Sequence, residues 1–400
     1  MAHFDRDHDT TLLALLLHAL FFVALATQTA IVPLLPRLSH AYGLSPSAGA
    51  LLLAAPGLAT LAISMPAGML ADRLGARRVT IAATFLMCAA ALAQAVPAYP
   101  ILIAGRFVFG LAFGVVWTTG VAWMSSSHDE AGSPALGAVA TSAAVGMVAG
   151  PAIGGAAADQ LGSSAPFLIV AGFAAALAVL LWRQPGDAGA RRVAAENLSL
   201  REFVRVVPGR PGVLIGAGVL AISGAVSGVA QLLIPLQLHQ AGFSAGATGV
   251  AFSAAAGVYI AVSAVVLKLG RRATTPWRTA LAGLALALSL LPAALGVGAL
   301  ALVGVLLLST APRAVVSTVS YPLATDSAAA AELPDGVVIG LLNGTWAVGL
   351  VLAPLIAGGI DQVTGPASAY LTAVVPGGIG AAWLIARTRA RHAAAELAVA

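Results

Sequence analysis

The stretch Gly68-Met-Leu-Ala-Asp72-Arg73-Leu-Gly75-Ala-Arg77-Arg78 decides how the rest of this sequence is interpreted. It holds one aspartate and three arginines within eleven residues, in a chain of which only 9% is charged. Long apolar runs lie on both sides of it. Charge concentrated between two such runs predicts a loop at a membrane surface, and the arginines predict that this surface faces the cytoplasm.

The composition excludes a water-soluble fold. The chain has 400 residues, of which 60% are hydrophobic, whereas soluble domains carry about 25% charged residues. Its apolar runs are continuous and long enough for helices of roughly 20 residues. The alternating pattern of a membrane β-barrel is absent from them. The sequence therefore predicts an all-α polytopic membrane protein.

Twelve spans fit the apolar runs, and they divide into two bundles of six helices. The predicted spans are 10–36, 46–70, 78–96, 99–126, 134–158, 163–183, 211–238, 245–269, 275–296, 298–326, 336–360 and 366–387. The predicted domains are 1–182 and 211–400, with a linker at 183–210 between them. Within the linker, Ser199 and Glu202 form a capping-box pattern, which predicts a short amphipathic helix on the membrane surface.

The basic residues predict the orientation of the chain. If both termini are cytoplasmic, seventeen of the twenty Lys and Arg residues lie in cytoplasmic segments and Arg37 lies in an outer loop. The remaining two, Arg106 and Arg313, lie inside spans. This asymmetry predicts cytoplasmic N and C termini. It also accounts for the net charge of +5 without a nucleic-acid partner.

Enzyme chemistry finds no support in the motifs. Cys88 is the single cysteine, so no disulfide framework and no thiolate metal site are predicted. The HExxH and Walker patterns are absent from the sequence, and the carboxylates are not clustered. We therefore expect neither an enzyme nor a bound metal or cofactor.

The two halves of the chain resemble each other at five positions that occur in the same order. The pairs are Pro33 with Pro235, Gly43–Gly49 with Gly242–Gly249, Arg77-Arg78 with Arg271-Arg272, Arg106 with Arg313, and Gly150-Pro151 with Ala353-Pro354. This order predicts a duplicated six-helix unit with both copies in the same orientation. Parallel repeats of this kind enclose a substrate path near the bilayer midplane in transporters.

On three motifs, the sequence resembles the major facilitator superfamily over essentially its whole length. The first motif lies between spans 2 and 3 and departs from the family pattern at Ala76, where a basic residue is common. The matching residues are Gly68, Asp72, Arg73, Gly75, Arg77 and Arg78. The resemblance implies a conformational latch: Asp72 meets the N-terminal end of span 11, near Gly336, and the arginines pair with Asp129 or Glu130 after span 4. Gly68 would permit a close helix contact.

The second motif lies in span 5 and matches the family pattern GxxxGPxxGG in full. Its residues are Gly146, Gly150, Pro151, Gly154 and Gly155. Three of the glycines recur every four residues, which predicts one helix face for close packing, and the proline predicts a bend. The resemblance implies the drug–proton antiporter group and therefore efflux. A general small-residue packing face is the alternative, and span 11 carries a looser copy, Gly349 to Gly358-Gly359.

The third motif begins at Arg106 in span 4, and Arg313 is its repeat partner in span 10. A charge inside a membrane costs about 3 kcal/mol and suggests a function. The resemblance implies that Arg106 couples transport to protons, whereas an arginine that extends to the interface is the alternative. Spans 1 and 4 lack the acid that many drug–proton antiporters carry there. Asp72 and His18 are therefore further coupling candidates, although His18 could instead be a hydrogen-bonded structural residue.

The resemblance also implies a central cavity, for which we name polar and aromatic candidates. They are Gln28, Trp117, Thr118, Gln231, Tyr259, Tyr321, Asn343 and Trp346. Because few of these residues are charged, they favour a lipophilic substrate. We expect a monomeric, proton-driven exporter in a bacterial cytoplasmic membrane, with the lipid bilayer, protons and a small molecule as its partners. The alternatives are a transporter of sugars, amino acids or other metabolites, a membrane enzyme and a non-transporting sensor.

Overall fold

The computed structural model describes residues 2–126, 133–184, 210–270, 274–329 and 335–399. Within these ranges the secondary structure is helical, without strands. Twelve of the helices there are long and apolar enough to cross a membrane, as predicted. The linker helix predicted at residues 199–207, as well as Asp129, Glu130 and Arg271-Arg272, lies outside the described residues.

The first six spans agree with the apolar runs, and span 4 is interrupted. Its α-helices, Tyr99–Val115 and Val121–Ser126, are joined by a π-helical turn at Val116–Gly120. The others are span 1 (Ala2–Tyr42), span 2 (Pro46–Leu74), span 3 (Ala76–Ala95), span 5 (Ser133–Leu161) and span 6 (Ala165–Trp182).

The second six spans follow the same order. Span 9 consists of two helices, Pro276–Leu288 and Leu291–Ala294. The others are span 7 (Pro211–Gln240), span 8 (Ala245–Leu269), span 10 (Ala299–Ala329), span 11 (Asp335–Thr364) and span 12 (Pro366–Val399). Spans 1 and 12 extend well beyond their predicted bounds at residues 10 and 387, because helical hydrogen bonding continues past the apolar run that marks a span in the sequence.

The charged stretch at Gly68–Arg78 is not the loop that the sequence predicts. Span 2 continues through Leu74 and span 3 begins at Ala76, so that Gly75 alone separates them. Its φ of 88° and ψ of 138° turn the chain between the two helices. Glycine adopts a positive φ easily because it has no Cβ. A single glycine therefore replaces the predicted loop, and all four charged residues of the stretch lie on helices.

The chain forms two compact units. The first unit comprises Met1–Leu44, Leu51–Val193 and Gly242–Ser253. The second unit comprises Ser45–Ala50, Ala194–Ala241 and Ala254–Ala400. Each unit therefore holds most of one predicted half and a short piece of the other. The piece is the start of span 8 in the first unit and the start of span 2 in the second.

In the first unit, spans 1 and 5 approach closely along the glycine face of span 5. A methyl group added at Gly154 would lie 2.8 Å from the Ala30 methyl carbon. Added methyl groups at Gly146 and Gly150 would overlap the backbone of Phe22 and Ala26. The close approach predicted from the four-residue spacing is present in the structure.

In the second unit, spans 7 and 11 make the corresponding contact, but both helices supply the glycines. Gly224 and Gly228 of span 7 face the backbone of span 11, while Gly349 of span 11 faces the backbone of span 7 at Ala221. The looser copy of the span 5 motif thus packs closely through its first glycine. By contrast, a methyl group at Gly359 would meet no described atom within 4 Å.

The glycine face predicts a specific sensitivity to added volume. We expect Gly150→Ala to lower the free energy of unfolding by about 1–3 kcal/mol, because the methyl group would overlap backbone atoms that cannot rotate away. Thermal unfolding of the purified protein in detergent measures the effect. Gly172→Ala is the matched control, since no described atom lies within 4 Å of its added carbon in span 6. Equal melting temperatures for the two variants would contradict the prediction.

Candidate functional site

Arg106 lies enclosed within the first unit. Its side chain is 0% exposed, and its Nε donates a hydrogen bond to the Leu52 carbonyl oxygen at 3.1 Å. Its guanidinium carbon lies 5.5 Å from the centre of the Phe109 ring. Nη1 and Nη2 are buried and have no hydrogen-bond partner among the described residues. An arginine that extended to the interface would reach water, so this enclosure argues against that alternative.

A row of aromatic rings follows Arg106 along span 4. The Phe109 and Phe113 ring centres lie 5.9 Å apart, and Phe113 stacks on Trp117 at 5.9 Å. Trp117 also meets the ring of Phe21 edge-on at 5.4 Å. The ring of Trp117 is 41% exposed and stands in the π-helical turn, a distortion that is frequent at functional sites. Trp117 was predicted as a cavity residue but the row was not, although the spacing of Phe109, Phe113 and Trp117 at every fourth residue is visible in the sequence.

The other candidates of the first unit have different surroundings. Thr118 Oγ1 donates to the Gly114 carbonyl oxygen at 2.9 Å within its own helix. Gln28 Oε1 is buried without a hydrogen-bond partner in the described part of the chain. His18 Nδ1 lies 3.1 Å from Ser142 Oγ of span 5. That contact fits a structural histidine, and the coupling role of His18 stays a prediction.

Arg77 makes a contact that the sequence analysis missed. Its Nη2 donates to the carbonyl oxygens of Trp182, at 2.7 Å, and Gln184, at 2.8 Å. Span 6 ends at Trp182, and the carbonyl groups at the end of a helix lack partners within the helix. Arg77 therefore caps span 6 and its charge complements the helix dipole. The predicted partner Asp129 lies outside the described residues.

The remaining latch residues are open to their surroundings. Asp72, Arg73 and Arg78 are exposed. A methyl group at Gly68 would meet no described atom within 4 Å, so the close helix contact predicted for Gly68 is absent from this structure. Gly68 lies on a face of span 2 that has free space beside it. The latch as a whole stays a prediction.

The span 5 motif has a second packed face, toward the start of span 8. Pro151 has no N–H group, and the N–H of the next residue, Ala152, donates to Ser253 Oγ at 3.0 Å. A methyl group at Gly155 would overlap the backbone of Ala245, and one at Gly249 would overlap the backbone of Pro151. Every glycine of the motif is therefore in close contact with another helix of the first unit.

Two polar residues, near the ends of spans 5 and 11, bind the starts of spans 8 and 2. In the first unit, Asp159 Oδ2 accepts a hydrogen bond from the Gly246 N–H at 2.7 Å, and Oδ1 lies 3.2 Å from Arg37 Nη2. In the second unit, Gln362 Oε1 accepts from Ser47 Oγ at 2.8 Å. Asp159 lies near the C-terminal end of span 5. Its contact with free N–H groups at a helix start explains its position.

In the second unit, three helices meet around Arg313. The guanidinium carbon lies 4.9 Å from the centre of the Tyr259 ring. Nη1 lies 3.4 Å from Ser227 Oγ, which the sequence analysis did not name. Further along span 10, Tyr321 donates its hydroxyl hydrogen to Asn343 Oδ1 at 2.6 Å. The structure thus pairs four predicted residues in two contacts that both involve span 10.

Two cavity candidates of the second unit take no part in these contacts. Gln231 and Trp346 are half-buried, and no side-chain hydrogen bond joins either residue to the others in the described ranges. In the same ranges, no three His, Cys, Asp or Glu side chains form a group that could hold a metal ion.

Comparison with known proteins identifies relatives of one kind. The sequence profile of the Major Facilitator Superfamily matches residues 17–335. An uncharacterized MFS-type transporter, C18.02, of Schizosaccharomyces pombe is 36% identical over 146 residues, which are 34% of this chain and 32% of that protein. The MFS-type transporter ppzB of Metarhizium majus is 29% identical over 115 residues, 28% of this chain and 25% of that protein. The chain thus matches about a third or less of these relatives' lengths.

Solved structures of low sequence identity share the fold. The nucleoside transporter NupG aligns with a TM-score of 0.73 at 13% identity, over 94% of this chain and 98% of that chain. A D-xylose-proton symporter aligns with a TM-score of 0.73 at 14% identity, over 94% and 97%. A bacterial homolog of the human lysosomal transporter Spinster, in an inward-facing and unoccupied conformation, aligns with a TM-score of 0.69 at 15% identity, over 95% of both chains.

The Arg77 contact predicts unequal effects of two neighbouring arginines. We expect Arg77→Gln to lower the free energy of unfolding by about 1 kcal/mol, because the charge-assisted hydrogen bonds to the end of span 6 are lost. Arg78→Gln, which removes the same charge from an exposed neighbour, should change it by less than half as much. Thermal unfolding in detergent compares the two, and equal losses would show that only the charge of the stretch matters.

Proposed function

The chain belongs to the major facilitator superfamily, and from that membership we propose a secondary transporter that exports lipophilic small molecules in exchange for protons. A multi-pass transporter is a non-enzymatic protein, so the question concerns the substrate, the direction and the energy source. Each of these three parts of the proposal rests on particular residues.

The span 5 motif supports export. Its complete GxxxGPxxGG pattern resembles that of drug–proton antiporters. In the structure, Gly146, Gly150 and Gly154 pack on span 1, and Gly155 packs on the start of span 8. Both faces of the motif are therefore engaged, as expected if it controls how span 5 moves against its neighbours. The proposal of export, rather than uptake, depends on this motif.

The surroundings of the cavity candidates support a lipophilic substrate. Trp117 is partly exposed and continues an aromatic row, and Thr118 already donates within its helix. The acids Asp159, Asp326 and Asp361 stand near the ends of their spans. A polar substrate such as a sugar needs many well-placed hydrogen-bonding groups. Tyr321 and Asn343 are one such pair, and they keep a transporter of sugars or other metabolites as the second candidate.

Arg106 supports proton coupling. It is a fully enclosed cation with two nitrogens that have no partner among the described residues, and a charge that is costly inside a membrane suggests a function. We propose Arg106 as the main coupling residue, with Asp72 and His18 as the groups that exchange the proton. Arg313, the fourth candidate, has different surroundings.

We propose the predicted topology and location as well. Cytoplasmic termini follow from the distribution of the basic residues, and the monomeric state is our expectation for this fold. The two curated relatives come from fungi. A bacterial cytoplasmic membrane is proposed on composition, since nineteen of the twenty basic residues are arginine, which is typical of GC-rich bacterial genomes.

A reconstituted flux assay tests the function. We expect proteoliposomes with an imposed pH gradient to transport lipophilic dyes or antibiotics and to move protons in return, while sugars give no proton movement. Arg106→Ala should abolish proton-coupled flux, because the enclosed charge is lost. Arg106→Lys keeps the charge and serves as the control for folding, together with size-exclusion profiles. Proton movement with sugars and never with lipophilic compounds would overturn the proposal.

The latch has a separate test. Asp72→Asn should reduce the transport rate by about tenfold or more, the effect of losing one charge-assisted contact, while membrane insertion is unchanged. Asp72→Glu keeps the charge and should retain most of the rate. The measurement is initial flux per inserted protein in the same vesicles. An Asp72→Asn variant with the rate of the unmodified protein would count against the latch.

A further inference from the structure

Arg313 is a cation in the middle of span 10 that has no acidic neighbour among the described residues. It is the fifteenth residue of a 31-residue helix. The nearest acid in sequence, Asp326, lies thirteen residues further on, which is roughly 20 Å along a helix. Asp361 stands near the end of span 11. No described carboxylate forms an ion pair with Arg313.

Neutral groups hold the guanidinium in place. The Tyr259 ring lies against it at 4.9 Å, and Ser227 Oγ takes a long hydrogen bond of 3.4 Å from Nη1. A guanidinium has five N–H donors in one plane. The aromatic ring occupies its face and the hydroxyl uses one donor. The other donors at the edge of the plane are left for another acceptor.

Arg313 differs from its repeat partner in accessibility. Arg106 is 0% exposed, and two of its nitrogens are fully enclosed. Arg313 is partly exposed, and its Nε and Nη2 are not among the buried nitrogens without a partner in the described residues. The edge of Arg313 is therefore open to its surroundings, whereas Arg106 is enclosed.

The chemistry of the free edge selects its ligand. A planar guanidinium binds a carboxylate with two parallel hydrogen bonds, and this geometry leaves the faces of the plane free for aromatic contacts. Tyr259 already makes such a contact. A bound carboxylate would also supply the negative charge that span 10 lacks around Arg313, and the low polarity of the surroundings strengthens that attraction.

We propose that Arg313 binds a carboxylate of the transported molecule, so that the substrates are lipophilic organic acids. Arg313 is then a substrate-binding residue, and the coupling role considered from the sequence falls to Arg106. The inference rests on the proposed transport of lipophilic molecules and names their chemical class.

A binding experiment with two matched probes tests the inference. The full chain is purified in detergent, and binding of 2-naphthoate and of its neutral analogue 2-naphthamide is measured by isothermal titration calorimetry. We expect the acid to bind about tenfold more tightly or better, the difference expected for charge-assisted hydrogen bonds. Arg313→Gln should remove that preference. A protein that does not prefer the acid, including one that binds neither probe, overturns the inference.

Arg389→Gln is the matched control variant. Arg389 lies in the same unit, and its guanidinium carbon also rests on an aromatic ring, that of Trp277, at 4.5 Å. The Arg389→Gln variant loses the same charge and the same kind of contact as Arg313→Gln. We expect it to keep the tighter binding of 2-naphthoate than of 2-naphthamide. If both variants lose the preference, the net charge of the unit explains the binding and the site at Arg313 is wrong.

A second variant covers the case in which Arg313→Gln does not fold. Arg313→Lys keeps the charge inside span 10 but cannot form the two parallel hydrogen bonds. We expect it to bind 2-naphthoate about tenfold more weakly than the unmodified protein. A lysine variant that binds the acid as tightly as arginine does would overturn the carboxylate geometry.

This experiment separates the two proposals, because binding is measured without any gradient. If 2-naphthoate binds through Arg313 and vesicles show no proton-coupled export, the proposed function fails and the carboxylate site stands. Suppose instead that vesicles export neutral or cationic dyes in exchange for protons, and that the protein does not bind 2-naphthoate more tightly than 2-naphthamide. The site at Arg313 then fails and the export function stands.

Discussion

Close approach of helix backbones is the interaction on which both units depend. In a bilayer, apolar side chains gain little by leaving the lipid, so helices associate where small residues let their backbones come close. The first unit meets this requirement with three glycines on span 5 against span 1, and the second with glycines on spans 7 and 11. The corresponding pair of spans makes this contact in each unit, but in the second unit both helices supply the glycines. A repeat can therefore keep its packing while its motif becomes looser.

Helix ends explain where Arg77 and Asp159 lie. Arg77 binds carbonyl oxygens at the end of span 6, and Asp159 binds an N–H group at the start of span 8. The unpaired backbone groups at a helix end carry partial charges that suit these partners. In a chain with so few charged residues, the backbone itself supplies the counter-charge. Binding to a helix end is a separate role from the predicted effect of the arginines on topology. Any arginine on the same side of the membrane would serve the predicted topology equally well.

The sequence predicts the class and the helix number well because both depend on composition and on the length of apolar runs. The glycine face at Gly146, Gly150 and Gly154 is also predictable, since it follows from helical periodicity. The details at Gly75, Arg77 and the π-helical turn are not. They depend on backbone dihedral angles and on which helix end lies nearby. The spacing of residues in the sequence indicates neither of these. For the same reason Gly68, a good match to its motif, proves to have open space beside it.

Arg106 and Arg313 show that repeat position does not determine what a charge can do. The two residues occupy equivalent positions in the predicted repeats, and a transfer of roles from one half to the other would give them one function. Their surroundings differ instead: Arg106 bonds to a backbone carbonyl and is enclosed, while Arg313 rests on a tyrosine ring and keeps an accessible edge. An enclosed cation can respond only to changes in the protein, because no solute reaches it. An accessible one, without an acid to neutralise it, attracts an anionic group from outside the fold. The two predicted repeats therefore place an arginine at equivalent positions, and the difference in burial gives the two arginines different possible functions.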